Sequence, residues 1–123
     1  MSQDIITPPQ DGRPHKYIKL ENELKVLLVQ DSEAETSAAC MFVGVGSLDD
    51  PDHSATNQKI NGMAHFCEHM LFLGTKKYPE ENYYQKFVKQ NGGDSNAATG
   101  EEYTYFYYNV SGDKFEESLD IFS

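Results

Sequence analysis

The stretch Asp94–Val110, "DSNAATGEEYTYFYYNV", decides the fold. "TGEE" is turn chemistry, and "YTYFYYNV" has the aromatic and threonine enrichment of a sheet. The stretch therefore predicts two antiparallel strands joined by a short turn. Upstream, "AACMFVGVGS" (38–47) is a short apolar run closed by glycines, expected as a buried strand. "KYIKLENELKVLLVQD" (16–31) reads as strand, turn at "ENE", strand. "YPEENYYQKFVKQNGG" (78–93) predicts a helix with Pro79 at its start, Glu80 and Glu81 in its first turn, and Gly92 and Gly93 at its end. "SGDKFEESLDIFS" (111–123) predicts another, capped by Ser111, with Phe115, Leu119 and Phe122 on one face. The sum is an α+β domain, a largely antiparallel sheet with helices packed on one face. Strand order does not follow from the pattern.

Composition narrows the function. Net charge is −10, with 20 acidic against 10 basic residues. That argues against nucleic-acid or anionic-membrane partners, which need clustered cations. No signal peptide is visible, and no apolar run approaches the roughly 20 residues of a membrane span. Cys40 and Cys67 form no C-x-x-C pair and are expected as buried free thiols in a reducing compartment. The expected location is intracellular and cytoplasmic. Residues 1–15, with three prolines and a glycine, read as a flexible N-terminal arm. "LDDPDHSATNQKIN" (48–61) reads as a polar surface loop, with His53 solvated among Asp49, Asp50 and Asp52.

Between this loop and the helix predicted over 78–93 lies "NGMAHFCEHMLFLG" (61–74). A helix is expected from about Gly62 to Leu73, capped by Asn61 and stopped at Gly74. His65 and His69 are one turn apart and share a face, so their ring nitrogens can converge on one zinc. Glu68 shares that face and can lie beside a metal without ligating it, where a general base must be. Cys67 lies about 200° round from that face and is expected to pack. Two readings stay open: a zinc site, or partly buried histidines bonded to backbone or water. A catalytic zinc keeps three protein ligands. Glu80, Glu81, Glu101, Glu102, Glu116, Glu117 and Asp120 are candidates for the third, but all are expected to be solvated.

"GVGSLDDP", "NGMAHFCEH", "LFLGTKKYP" and "SNAATGEEYT" together resemble the inverzincin metallopeptidases of family M16, of the insulin-degrading (insulysin) type. The resemblance runs from about Lys16 to Ser123. It implies the first part of an M16 (LuxS/MPP-like) domain over residues 16–123 and a zinc endopeptidase acting on short peptides. His65 and His69 match the zinc ligands and Glu68 the catalytic base. "SNAAT" matches an edge strand that binds peptide substrate in β fashion, with Asn96 and Ala97 bonding its main chain. Phe72 matches a residue of the pocket before the scissile bond. Ala98 stands where insulysins carry an aromatic, which implies a wider pocket. "HSATNQKIN" makes the loop before the helix longer than in relatives. The family's third ligand is a glutamate farther downstream than Ser123, and its remaining domains close around a chamber. The alternative expectation is a non-catalytic fragment that binds peptides or a partner without cleaving them.

Overall fold

A computed structural model of the protein describes residues 5–53 and 58–123. The chain divides into two compact units, residues 1–34 and 35–123.

In the first unit, β1 (His15–Lys19) pairs antiparallel with β2 (Lys25–Val29), with Tyr17 opposite Leu27. The expected "ENE" turn joins them, and Glu23 takes φ 71°. Before β1, Arg13 clamps Asp11 through two side-chain bonds of 2.8 Å. These hold the Asp11 carboxyl well below the usual carboxylate range.

The second unit holds the predicted hairpin, β6 (Asp94–Thr99) and β7 (Thr104–Ser111), and β3 (Thr36–Val43) pairs with β7 on its other side. All pairings are antiparallel, and the strand order is β3-β7-β6. Three helices, α1 (Met63–Met70), α2 (Tyr83–Gln90) and α3 (Phe115–Phe122), pack on this sheet. Alternation along β7 decides which face they cover. Tyr108 and Val110 meet residues of α2 and α3 and Phe106 meets Phe72 just beyond α1, whereas Tyr105 and Tyr107 stack along the other face with Tyr103 and Phe42.

The core centres on Val88, Tyr108 and Val110, all essentially inaccessible, with Ala39, Tyr84, Phe115 and Phe122 around them. Each such side chain contributes about 2 kcal/mol by leaving water. Tyr84 meets Tyr108 edge-on at 6.0 Å, and Tyr108 lies 5.1 Å from Phe122. Ser118 donates to the Tyr108 hydroxyl at 3.1 Å. Burial pushes both phenols, Tyr84 and Tyr108, above their ordinary range.

Several expectations need correction. "AACMFVGVGS" is not a buried strand: among the described residues β3 is an edge strand, and Phe42 is 63% exposed. Both cysteines are exposed. Cys40 lies opposite Tyr107 on the face without helices, and Cys67 on the side of α1 turned from the sheet. The second helix starts at Tyr83 rather than near Pro79, because Asn82 takes a left-handed φ of 64° that a helix cannot continue through. Ser111 makes no capping bond: its hydroxyl meets Asp113, and a 3-10 turn precedes α3. The buried face of α3 is Phe115, Ser118, Ile121 and Phe122, and Leu119 is exposed. The surface loop contains a 3-10 turn (Ser47–Asp49) and two short paired strands, β4 (Asp52–His53) and β5 (Gln58–Lys59). The middle of the "HSATNQKIN" extension, 54–57, lies outside the described residues.

The predicted end of the second helix stands. Gly92 takes φ 75°, and the Gly93 amide bonds the Val88 carbonyl at 3.0 Å, a left-handed helix stop. Gly93 then enters β6 so tightly that a Cβ would fall on the Asn109 carbonyl oxygen. Gly93→Ala is expected to cost about 3 kcal/mol or more, since the obstruction is the backbone of Asn109 and Val110 and not a movable side chain. A thermal melt should fall by more than about 10 °C, and a shift below about 3 °C would refute the close approach.

Candidate metal centre

The local sequence alone does not start α1. Asn61 is not its cap; Gly62 is, in left-handed conformation, and no side chain of the helix serves its free amides. Asp50 does so from 12 residues upstream. Its Oδ2 accepts from the Gly62 amide at 2.7 Å and its Oδ1 from the Ala64 amide at 2.8 Å. A carboxylate is favoured there by the helix dipole, and Asp50 is buried. Asp50→Ala should lower stability by about 2 kcal/mol, with Asp50→Asn intermediate. The urea midpoint reads this directly, and an unchanged midpoint would show that the two bonds contribute nothing net.

α1 ends at Met70 rather than at the expected Leu73: Leu71 caps it, turn bonds from Phe72 to His69 and from Leu73 to Met70 follow, and Gly74 takes φ 112° after them. Lys77 then bonds Asp120 of α3 at 2.8 and 2.6 Å, and the Tyr78 hydroxyl also donates to Asp120. These bonds, Lys77 first, hold the Asp120 carboxyl below its usual range.

On α1, His65 and His69 bring their Nε2 atoms to 2.9 Å, with ring centroids 4.6 Å apart. Both are exposed. Within this chain they are therefore not the partly buried histidines of the alternative reading. Glu68 is buried on the side toward β6, and its Oε2 accepts from the Thr99 hydroxyl at 2.5 Å. Ligand atoms of His65, Glu68 and His69 all lie within 4.8 Å of one another. The donor set fits zinc: two tetrahedral zinc–nitrogen bonds would set the nitrogens about 3.3 Å apart, a few tenths of an ångström from the observed spacing.

Among the described residues no other carboxylate joins this cluster. Glu80, Glu81, Glu101, Glu102, Glu116, Glu117 and Asp120 are exposed, as expected. Glu80, Glu117 and Asp120 pair with Lys86, Lys114 and Lys77.

Beside the cluster is a cavity of about 490 Å³, lined in part by Glu68, His69, Phe72, Asn82, Gln85 and Asn96. Half-buried Phe72 also lies 6.3 Å from Phe106 in the helical layer. β6 is an edge strand among the described residues, so Asn96, Ala97 and Ala98 stand on a free sheet edge beside α1. Asn82, Gln85 and Thr99 were not legible as neighbours of the centre. Asn82 is the residue before α2 and Gln85 lies within it, and only the hairpin register brings Thr99 to α1.

The sequence pattern of the family described as Insulinase (Peptidase family M16) matches residues 25–123, and the chain belongs to that family. It is 44% identical to the insulin-degrading enzyme of Mus musculus over 123 residues, all of this chain and 12% of that protein. It is 49% identical to the insulin-degrading enzyme of Drosophila melanogaster over 114 residues, 93% of this chain and 11% of that protein. The crystal structure of pitrilysin superposes with a TM-score of 0.86 at 37% identity, covering 98% of this chain and 12% of that one. The fold is therefore the α+β fold of an M16 domain, and the chain spans about an eighth of the length of these relatives. Among the described residues no helix is long and apolar enough to cross a membrane.

Proposed function

We propose that residues 16–123, behind an arm of residues 1–15, form the first part of the active-site domain of an insulysin-type zinc endopeptidase. The observation that carries this reading is the pairing of His65 and His69 at 2.9 Å beside a buried Glu68. His65 and His69 would hold the zinc, completed by a ligand from elsewhere in the protein. When bound, zinc supplies a Lewis acid that acidifies water and polarises a carbonyl. Glu68 takes the proton of the attacking water on the oxygen that Thr99 leaves free, then delivers it to the leaving amine. A peptide adds to the free edge of β6 through main-chain bonds to Asn96 and Ala97, which gives affinity without demanding one sequence. Phe72 and the small Ala98 then shape the flanking pocket. Short peptides are the substrate class, and the remaining domains of the enzyme are the partners.

A cytoplasmic location is proposed from Cys40 and Cys67, free and exposed, an arrangement that reducing compartments preserve. Cell fractionation tests it, and recovery in an oxidising compartment would oppose it.

A second reading applies to the 123-residue chain by itself: it binds metal and peptide without cleaving. The two-histidine donor set favours it, since no carboxylate besides Glu68, the proposed base, joins the cluster among the described residues. One experiment separates the readings. The chain and the complete protein are each assayed on a fluorogenic peptide, with zinc content measured alongside. Cleavage that chelator abolishes and zinc restores supports the enzyme in whichever polypeptide shows it. Cleavage insensitive to chelator overturns the zinc reading.

A further inference from the structure

Thr99 is the last residue of β6, and its hydroxyl proton is spent on Glu68 Oε2 at 2.5 Å. A hydroxyl has one proton to give, so the carboxylate is the acceptor. Thr99 is rigidly mounted. Its amide-linked neighbour Gly100 closes the hairpin turn on Tyr103 at 2.8 Å. Ser47 and Leu48 donate to the Gly100 and Glu101 carbonyls at 3.0 and 2.9 Å. Gly46 lies so close that a Cβ would come within 2.5 Å of the Glu101 oxygen. Across the ladder, the Thr104 hydroxyl is committed to the Val45 carbonyl at 2.9 Å and does not compete for Glu68.

Glu68 meanwhile lies close enough to both imidazoles to become a ligand itself, since all three donor atoms fall within 4.8 Å. A carboxylate on the metal is no longer a free base. We infer that Thr99 is a positioning residue that pins one oxygen of Glu68 to the sheet, so that the carboxylate serves as a base and not as a third zinc ligand. This rests on the reading of Glu68 given above.

The test compares wild type, Glu68→Gln, Thr99→Val, Thr99→Ser and the Glu68→Gln, Thr99→Val double variant in the full-length protein. Zinc affinity is measured by chelator competition, and kcat and KM on a fluorogenic peptide. Thr99→Val should lower kcat about 10–100-fold, the usual cost of removing a supporting hydrogen bond at a metal site. KM should stay within about twofold, since the β6 edge is untouched. Zinc should bind as tightly or tighter, because the released carboxylate can reach the metal, and the double variant should lose that gain. Thr99→Ser keeps the hydroxyl and should recover most of kcat. Unchanged kcat in Thr99→Val, weaker zinc binding with a lowered melting temperature, or no rescue by serine would each overturn the inference. Failure of the base reading shows separately, as full activity in Glu68→Gln alone. The zinc arm still reads the pinning in that case.

Discussion

Glu68→Gln is expected to leave zinc bound and stop hydrolysis. Glutamine has nearly the size and shape of glutamate, so the buried slot beside β6 remains filled and Thr99 can still donate to the side-chain oxygen. What changes is basicity: an amide cannot take a proton from water. Loss of a positioned general base costs about 10²–10⁴-fold, so kcat should fall by that range. KM should change little, because the residues proposed to hold the peptide main chain lie on β6. Zinc content should stay at the wild-type level, because the imidazoles are untouched. Turnover within about tenfold of wild type would remove Glu68 from the mechanism. Loss of zinc in the variant would instead make Glu68 a ligand.

The parts of this picture that sequence reveals are those written into contiguous residues. The hairpin at 94–111 is legible because turn residues and β-formers sit side by side. The histidine pair is legible because helical periodicity alone makes positions 65 and 69 neighbours. What escaped depends on contacts between distant segments. Asp50 reads as one acid among several in a polar loop, yet it is buried and caps α1. Thr99 reads as strand, and only its register places it against Glu68. Leu119 fits an apolar stripe, but the orientation of α3 buries Ser118 and Ile121 instead. Cys40 and Cys67 follow the average burial of cysteine only where something covers them, and both are exposed. The resemblance to M16 peptidases, carried by "HFCEH" and "SNAATGEEYT", supplied site assignments that spacing could not.

His65→Ala and His69→Ala should each release the metal while leaving the fold intact. Both imidazoles are exposed, and their one mutual contact is the 2.9 Å approach of the Nε2 atoms. Truncating either at the surface should therefore change stability by no more than about 0.5 kcal/mol, and the melting temperature of the metal-free protein should barely move. The effect on zinc is of another order. Structural zinc sites with four ligands bind with roughly 10–16 kcal/mol, or about 3 kcal/mol per ligand. Removing one ligand should weaken binding at least about 100-fold. Hydrolysis should fall to background at limiting zinc, and each variant should recover little when zinc is raised, since the remaining ligands no longer fix the metal beside Glu68. Chelator competition on the two variants reads the affinity, and the melt of the metal-free protein controls for folding. A variant that keeps stoichiometric zinc would show that its histidine is not a ligand. A large drop in the metal-free melt would mean that the pair supports the helix. The contrast with Glu68→Gln separates the roles: the same reaction is lost in both, but zinc departs only when an imidazole is removed.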